Sequence, residues 1–265
     1  MPTRFYYLLN IQYLGYRLHG WQKQPGLKTV EGLIKKTLKF VLPETRFKIL
    51  GAGRTDAMVS AQDAAFELFL EEKPLKDPGA FLDLFNLNLP PDIRATGIKE
   101  VDPHFNIIKD PINKEYLYLF AFGEKSHPFC APLLSTFLGP LDLELMRTGA
   151  RMFQGKHNFR NYCTKPTAHT IVERELEVCE IVENEQITAS FFPEDTYLLR
   201  IRSQGFLRNQ IRLIMGTLVQ LGRGEIALED IEASLQPGNE VLINYIAPGS
   251  GLILNQINFH EGEGG

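Results

Sequence analysis

The chain has 265 residues, 44% hydrophobic and 23% charged, with a net charge of −4. That is one large domain or two modest ones, too apolar for disorder and long enough to bury a core without staples. Three scattered cysteines (Cys130, Cys163, Cys179) make no C-x-x-C pair and speak against a zinc ribbon or a disulfide scaffold, and no run approaches the roughly 18 apolar residues of a membrane span, so a cytoplasmic enzyme or binding protein is expected.

Residues 4–13 alternate, with Phe5, Tyr7, Leu9, Ile11 and Tyr13 on one side, which predicts a strand. Gly15, Gly20, Pro25 and Gly26 mark a long loop. From Val30 the apolar residues step to Leu33, Ile34, Leu38 and Val41, predicting a helix that ends before Pro43. Residues 47–50 predict a short strand and residues 64–70 another, with Ala64, Phe66, Leu68 and Leu70 on one face. A helix over 78–88 and a linker over 102–113 follow. The second half predicts a strand over 115–122 and a helix through Leu143, Met146, Ala150 and Phe153. A hairpin of 171–182 with 187–192 comes next, then a strand over 197–202. Gly205 precedes an amphipathic helix with Leu207, Ile211, Ile214, Met215 and Leu218 as its core stripe. Residues 251–259 predict a last strand. Strands and helices without regular βαβ alternation favour an α+β fold with antiparallel sheets.

The charge is unevenly spread. Residues 1–48 carry a net +7, which leaves −11 for the rest. Inside that acidic remainder, residues 200–224 hold Arg200, Arg202, Arg208, Arg212 and Arg223 and no acid. Two basic zones on an acidic body are what a phosphate-binding surface needs, although basic helix faces are commonly just solvated. The segment Gly51-Ala52-Gly53-Arg54-Thr55-Asp56-Ala57 carries the candidate chemistry. Glycines flank a turn where backbone can come close to a ligand. Arg54 and Asp56, two apart, share a side of an extended chain. An ionised carboxylate in a partly desolvated pocket can serve as nucleophile or base; the bland alternative is an Asx-turn or helix cap.

Gly-Arg-Thr-Asp-Ala resembles the signature loop of the TruA-type tRNA pseudouridine synthases. Five further segments are similar to motifs of that family, in order. They are Tyr13-x-Gly15-x-x-Leu18-x-Gly20-Trp21-Gln22-x-Gln24-Pro25 with Thr29-Val30-Glu31; Leu89-Pro90-x-Asp92-Ile93-Arg94; Lys114-x-Tyr116-x-Tyr118; Phe206-Leu207-x-x-x-Ile211-Arg212-x-Ile214-Met215-Gly216; and Ala247-Pro248-x-x-Gly251-Leu252-x-Leu254. The resemblance spans residues 13–254. It implies two similar α+β domains, 1–104 with the Asp56 loop and 105–265 with Tyr116 and Arg212. Their antiparallel sheets would carry helices on one face, with the active-site cleft between the domains.

The resemblance also implies conversion of uridine to pseudouridine in the anticodon stem-loop of tRNA, at positions 38 to 40, by a homodimer without metal or redox cofactor. Asp56 matches the catalytic aspartate, Arg54 the arginine that helps displace the target base, and Tyr116 the tyrosine that stacks on the flipped uracil. Arg212 matches the arginine that pairs with the carboxylate; i+4 spacing would set it beside Arg208 on a helix flank, with Gly216 leaving room for close packing. Leu254 matches an apolar residue lining the uracil pocket. Arg202 and Arg208 are expected to contact phosphate. The sequence departs from the family at Met58 (for glycine), at Ser60 (for histidine) and in Phe105-Asn106-Ile107-Ile108, where a histidine and an arginine are lost. The Met58 Cβ predicts a different path for the loop after Asp56. A same-fold synthase with another RNA target, or a non-catalytic RNA-binding protein, are the alternatives.

Overall fold

The computed structural model describes residues 3–239, 241, 243 and 245–259. In chain order its elements are β1 (Arg4–Tyr13), α1 (Val30–Val41), β2 (Phe47–Gly51), β3 (Ser60–Glu71), α2 (Pro78–Asn88), β4 (Ile93–Glu100) and β5 (Pro111–Gly123). There follow β6 (Ser135–Leu138), α3 (Leu143–Met152), β7 (Gly155–Asn158), β8 (Glu173–Leu176), β9 (Val178–Glu183), β10 (Tyr197–Ser203), α4 (Gln210–Gly222), α5 (Leu228–Ser234) and β11 (Leu252–Phe259). The chain forms two compact units. One holds residues 3–112 and 254–259; the other spans Asn113–Ile253.

In the first unit the strand order is β4-β1-β3-β11, with β2 also paired to β3. β1 runs antiparallel to both neighbours, Tyr7 opposite Leu68 and Leu9 opposite Phe66 on one side, Leu9 opposite Ile98 on the other. The predicted alternation produces this: Tyr7, Leu9, Ile11, Tyr13, Phe66, Leu68 and Leu70 are all buried. α1 starts where Thr29 Oγ1 accepts the Gly32 N–H, and contributes buried Val30, Ile34 and Leu38. α2 is capped by Asp77, whose Oδ1 accepts the Ala80 N–H at 3.0 Å with Pro78 in the first turn. It buries Phe81 and Phe85, whose rings stack at 5.7 Å.

The opposite face of β3 is not left to solvent. Glu67, between Leu8 of β1 and Leu50 of β2, is only 2% exposed, because the 102–110 segment folds over it with Ile107 fully buried. The Ile107 N–H bonds the Glu67 carboxyl; Glu67 Oε1 finds no partner among the described residues. Burial pushes this carboxyl up to about 7; the Ile107 bond opposes the rise and the Asp110 charge adds to it.

In the second unit β10 lies antiparallel between β5 and β9, and β6 joins β5 in parallel. Three expectations are corrected here. Residues 187–192 form no strand, and β9 pairs with β10 instead. The loop satisfies its polar groups locally: Asn184 accepts the Ile187 N–H at 3.0 Å and donates to the Ile187 carbonyl and Thr196. That frees Ile187, Phe191 and Phe192 to pack on the cluster of Leu117, Leu119, Cys130, Leu134 and Leu198. The predicted strand 171–182 breaks at Glu177, β8 pairing with β7 and β9 with β10. Finally, α4 is buried on nearly every side, from Gln210 through Gly222, and not along a stripe alone. It starts after Asn209, held at φ 60°, so Leu207 and Arg208 lie outside it and Arg208 is no helix-flank neighbour of Arg212.

Candidate active site

The loop Gly53–Ala57 connects β2 to β3, and the opening motif of the chain is what holds it. Tyr13 and Thr55 are buried with their hydroxyls 2.9 Å apart, and burial raises the Tyr13 phenol. The Trp21 N–H donates to the Thr55 carbonyl at 3.0 Å and the Met58 N–H to the Leu18 carbonyl at 3.0 Å. The Gly15 N–H donates to Ser60 Oγ at 2.9 Å, so the serine in place of histidine is a buried clasp between the two segments. Gly20 has φ +81°, and a Cβ there would stand 2.5 Å from the Thr55 carbonyl oxygen; only glycine allows this approach. Thr29-Val30-Glu31 then locks the opening loop from the other end. Val30 N–H bonds the Gly20 carbonyl at 3.1 Å, and Glu31 Oε2 accepts the Lys23 N–H at 2.8 Å. The result is a loop whose backbone is bonded on both sides, with Asp56 half-buried and Arg54 exposed at its turn.

Met58 sits at φ 68°, a left-handed conformation that glycine adopts without steric cost and that costs other residues about 1–2 kcal/mol. The loop after Asp56 therefore accepts the strain of methionine at that position. At Asn106 the departure has a local cause: its Oδ1 accepts the Ile108 and Lys109 N–H groups at 3.0 and 3.1 Å, an Asx-turn that shapes the segment over Glu67. Ile108 points outward, 54% exposed.

In the second unit, Tyr116 and Tyr118 share one face of β5. Tyr116 is 8% exposed and meets Phe206 edge-on at 5.3 Å, so the aromatic at the head of the Phe206-Leu207 motif packs directly on it. Lys114 lies two residues before Tyr116 on that face, where burial lowers its ammonium below the ordinary range. The Tyr118 hydroxyl donates to the Pro248 carbonyl at 2.8 Å and lies 3.0 Å from Ser135 Oγ. Arg212, half-buried on α4, donates Nε to the Ala247 carbonyl at 2.7 Å while its own carbonyl accepts the Ala247 N–H. The charge of Arg212 is felt at Tyr118. The space predicted at Gly216 is taken by the chain at Tyr245, whose carbonyl a Cβ would strike. The Ala247 and Pro248 carbonyls are thus held by the side chains of Arg212 and Tyr118, a role for Tyr118 signalled in the sequence by the Lys114-x-Tyr116-x-Tyr118 motif.

Arg202 pairs with Glu177 through Nε at 2.9 Å; opposite Glu115 in the ladder, it lies on the face away from Tyr116. Arg200 pairs with Glu115 at 2.9 Å and Glu180 at 3.2 Å. The second basic zone is therefore partly neutralised by acids from neighbouring strands, while Arg208 stays exposed in the turn before α4. Leu254 is buried in β11, in the first unit together with Asp56 and Arg54. Among the described residues, no helix is long and apolar enough to cross a membrane.

Residues 150–260 match the family model described as tRNA pseudouridine synthase. The tRNA pseudouridine synthase A of Dictyoglomus thermophilum is 31% identical over 95% of this chain and 98% of its own length. That of Aquifex aeolicus is 33% identical over 95% and 98%, and that of Bacillus velezensis 32% identical over 92% and 95%. With about a third of its residues shared from end to end with such relatives, the chain belongs to the tRNA pseudouridine synthase A family.

Proposed function

We propose that this protein isomerises uridine to pseudouridine in tRNA, in the anticodon stem-loop at positions 38 to 40. In that reaction the N1–C1′ bond breaks, the freed uracil turns, and C5 takes its place on C1′; a proton leaves C5 and N1 gains one. Atoms and electrons balance without an oxidant or a leaving group. The observation that carries the reading is the intact Gly53-Arg54-Thr55-Asp56 loop, bonded on both sides by the opening motif, in a chain akin to synthases along its whole length.

Asp56 is the catalytic carboxylate, half-buried on a rigid loop where it can attack the ribose or the base. Arg54, exposed beside it, fills the space left by the extruded nucleotide and offsets part of the unstacking cost of a few kcal/mol. Tyr116, held by Phe206, stacks on the uracil and assists proton removal at C5. Arg212 pairs with the Asp56 carboxylate, and Leu254 lines the uracil pocket. Arg208 is exposed for phosphate; Arg202 exchanges Glu177 for phosphate when RNA binds. The protein works in the cytoplasm as a homodimer. The test is tritium release from bulk tRNA labelled at uridine C5, followed by mapping of the modified position. Release with modification at 38 to 40 supports the reading. Modification elsewhere moves the target, and no release removes the activity.

A further inference from the structure

The first unit carries a cavity of about 330 Å³ on the face of β1, β2 and β3 that holds Glu67. The ladders fix what lines it. Arg4 stands opposite Glu71, Tyr6 and Lys48 opposite Phe69, and Leu50 opposite Glu67, while the Glu71 N–H bonds the Arg46 carbonyl. All these side chains therefore emerge on one face. Phe69 is the floor, half-buried and edge-on to Tyr6 at 5.6 Å; Leu50, 44% exposed, is the apolar wall. Arg4, Arg46 and Lys48 form the rim, with Glu71 the one acid, 3.5 Å from Arg4.

Lysines on an edge strand are a common guard against aggregation. Such a guard requires no aromatic floor and no concavity. A half-buried ring at the base of a cationic rim is the arrangement that receives a base on its face and a phosphate on its edge. The cavity lies at the lower end of the range for small-ligand pockets and suits a single nucleotide. It also belongs to the stretch that concentrates a net +7 in an acidic protein.

We propose that this cavity is a second nucleotide-binding site, separate from the Asp56 loop, in which an unstacked nucleotide of the RNA rests its base on Phe69 with its phosphate between Arg46 and Lys48. The proposal rests on RNA being the substrate class. Its test reads binding alone, so that it can fail independently of the activity.

The anisotropy of a labelled five-uridine oligonucleotide and of labelled tRNA would be titrated with the protein from 50 to 300 mM salt. Arg46→Ala/Lys48→Ala, both exposed positions, should weaken both ligands about tenfold and reduce the slope of log K against log salt by about 1 to 2. Phe69→Leu keeps apolar packing but offers no ring; it should weaken the oligonucleotide about tenfold and leave the salt slope unchanged. Wild-type affinity and slope in the double variant would overturn the proposal. So would an unchanged affinity in Phe69→Leu, or equal competition by polyglutamate, which would make the patch a site for acidic protein. If the oligonucleotide binds as expected while tritium release from tRNA is absent, the assigned activity fails and the site stands.

Discussion

Glu67→Gln should abolish a loss of stability that the wild-type protein suffers as pH rises from 4.5 to 7. The Glu67 carboxyl is 2% exposed between Leu8 and Leu50, and burial holds it up at about 7 against an ordinary 4.5. The folded state therefore keeps its proton where the unfolded chain has released it. Across that window the unfolded state binds fewer protons, so stability falls with rising pH and levels off above about 7. The difference corresponds to about 3 kcal/mol of extra ionisation cost in the fold. Glutamine keeps the shape and cannot ionise. Its amide nitrogen takes a place where Glu67 Oε1 has no partner among the described residues, at a pH-independent cost of about 1–3 kcal/mol. The variant should thus be the weaker protein at pH 4.5 and at least match wild type at pH 8. The assay is urea unfolding at intervals from pH 4.5 to 8.5, followed by fluorescence of Trp21. It is the single tryptophan, 5% exposed in the same unit, so it reports on the unit that contains Glu67. Stability profiles of the two proteins that stay parallel within about 0.5 kcal/mol would refute the argument, because they would mean that Glu67 titrates as a solvated carboxylate.

Asp56→Asn should lower pseudouridine formation in tRNA at least about a hundredfold with no change in the circular dichroism spectrum or melting temperature, since the loop is held by backbone bonds that the substitution spares. Gly20→Ala should cost more than about 2 kcal/mol and reduce turnover as well, because its Cβ drives into the Thr55 carbonyl at a positive φ; a thermal melt beside the tritium assay measures both. Tyr118→Phe should cost about 1–3 kcal/mol in urea unfolding by stripping the Pro248 carbonyl of its donor. A melting temperature equal to wild type would show that the Pro248 carbonyl finds another donor.

Local patterns made much of this molecule legible. β1, α1, α2 and α3 follow from alternation or three-and-four spacing, because each buries one face and its neighbours in sequence decide which. The Asp56 loop was visible through its glycines and acid–base pair. The companion motif at Tyr13–Trp21 could be read as a pattern but not as a contact, since its bonds to Thr55, Met58 and Ser60 bridge more than thirty residues. The 187–192 segment has the apolar content of a strand; it became a loop because the Asn184 side chain bonds both backbone groups of Ile187 and the segment's phenylalanines found a core to pack on.

The sequence by itself determined the strongly periodic elements β1, α1, α2 and α3, the motif order and the membership of the family, for these depend on residue types at short spacing. Tertiary structure alone decided which charges are available. Arg200 and Arg202 meet Glu115, Glu177 and Glu180 across strands, and the 102–110 segment closes over Glu67, an acid that alternation would send to solvent. A side chain's charge is written in its own residue, but its solvation and its counter-charge are set by whatever remote segment the fold lays against it.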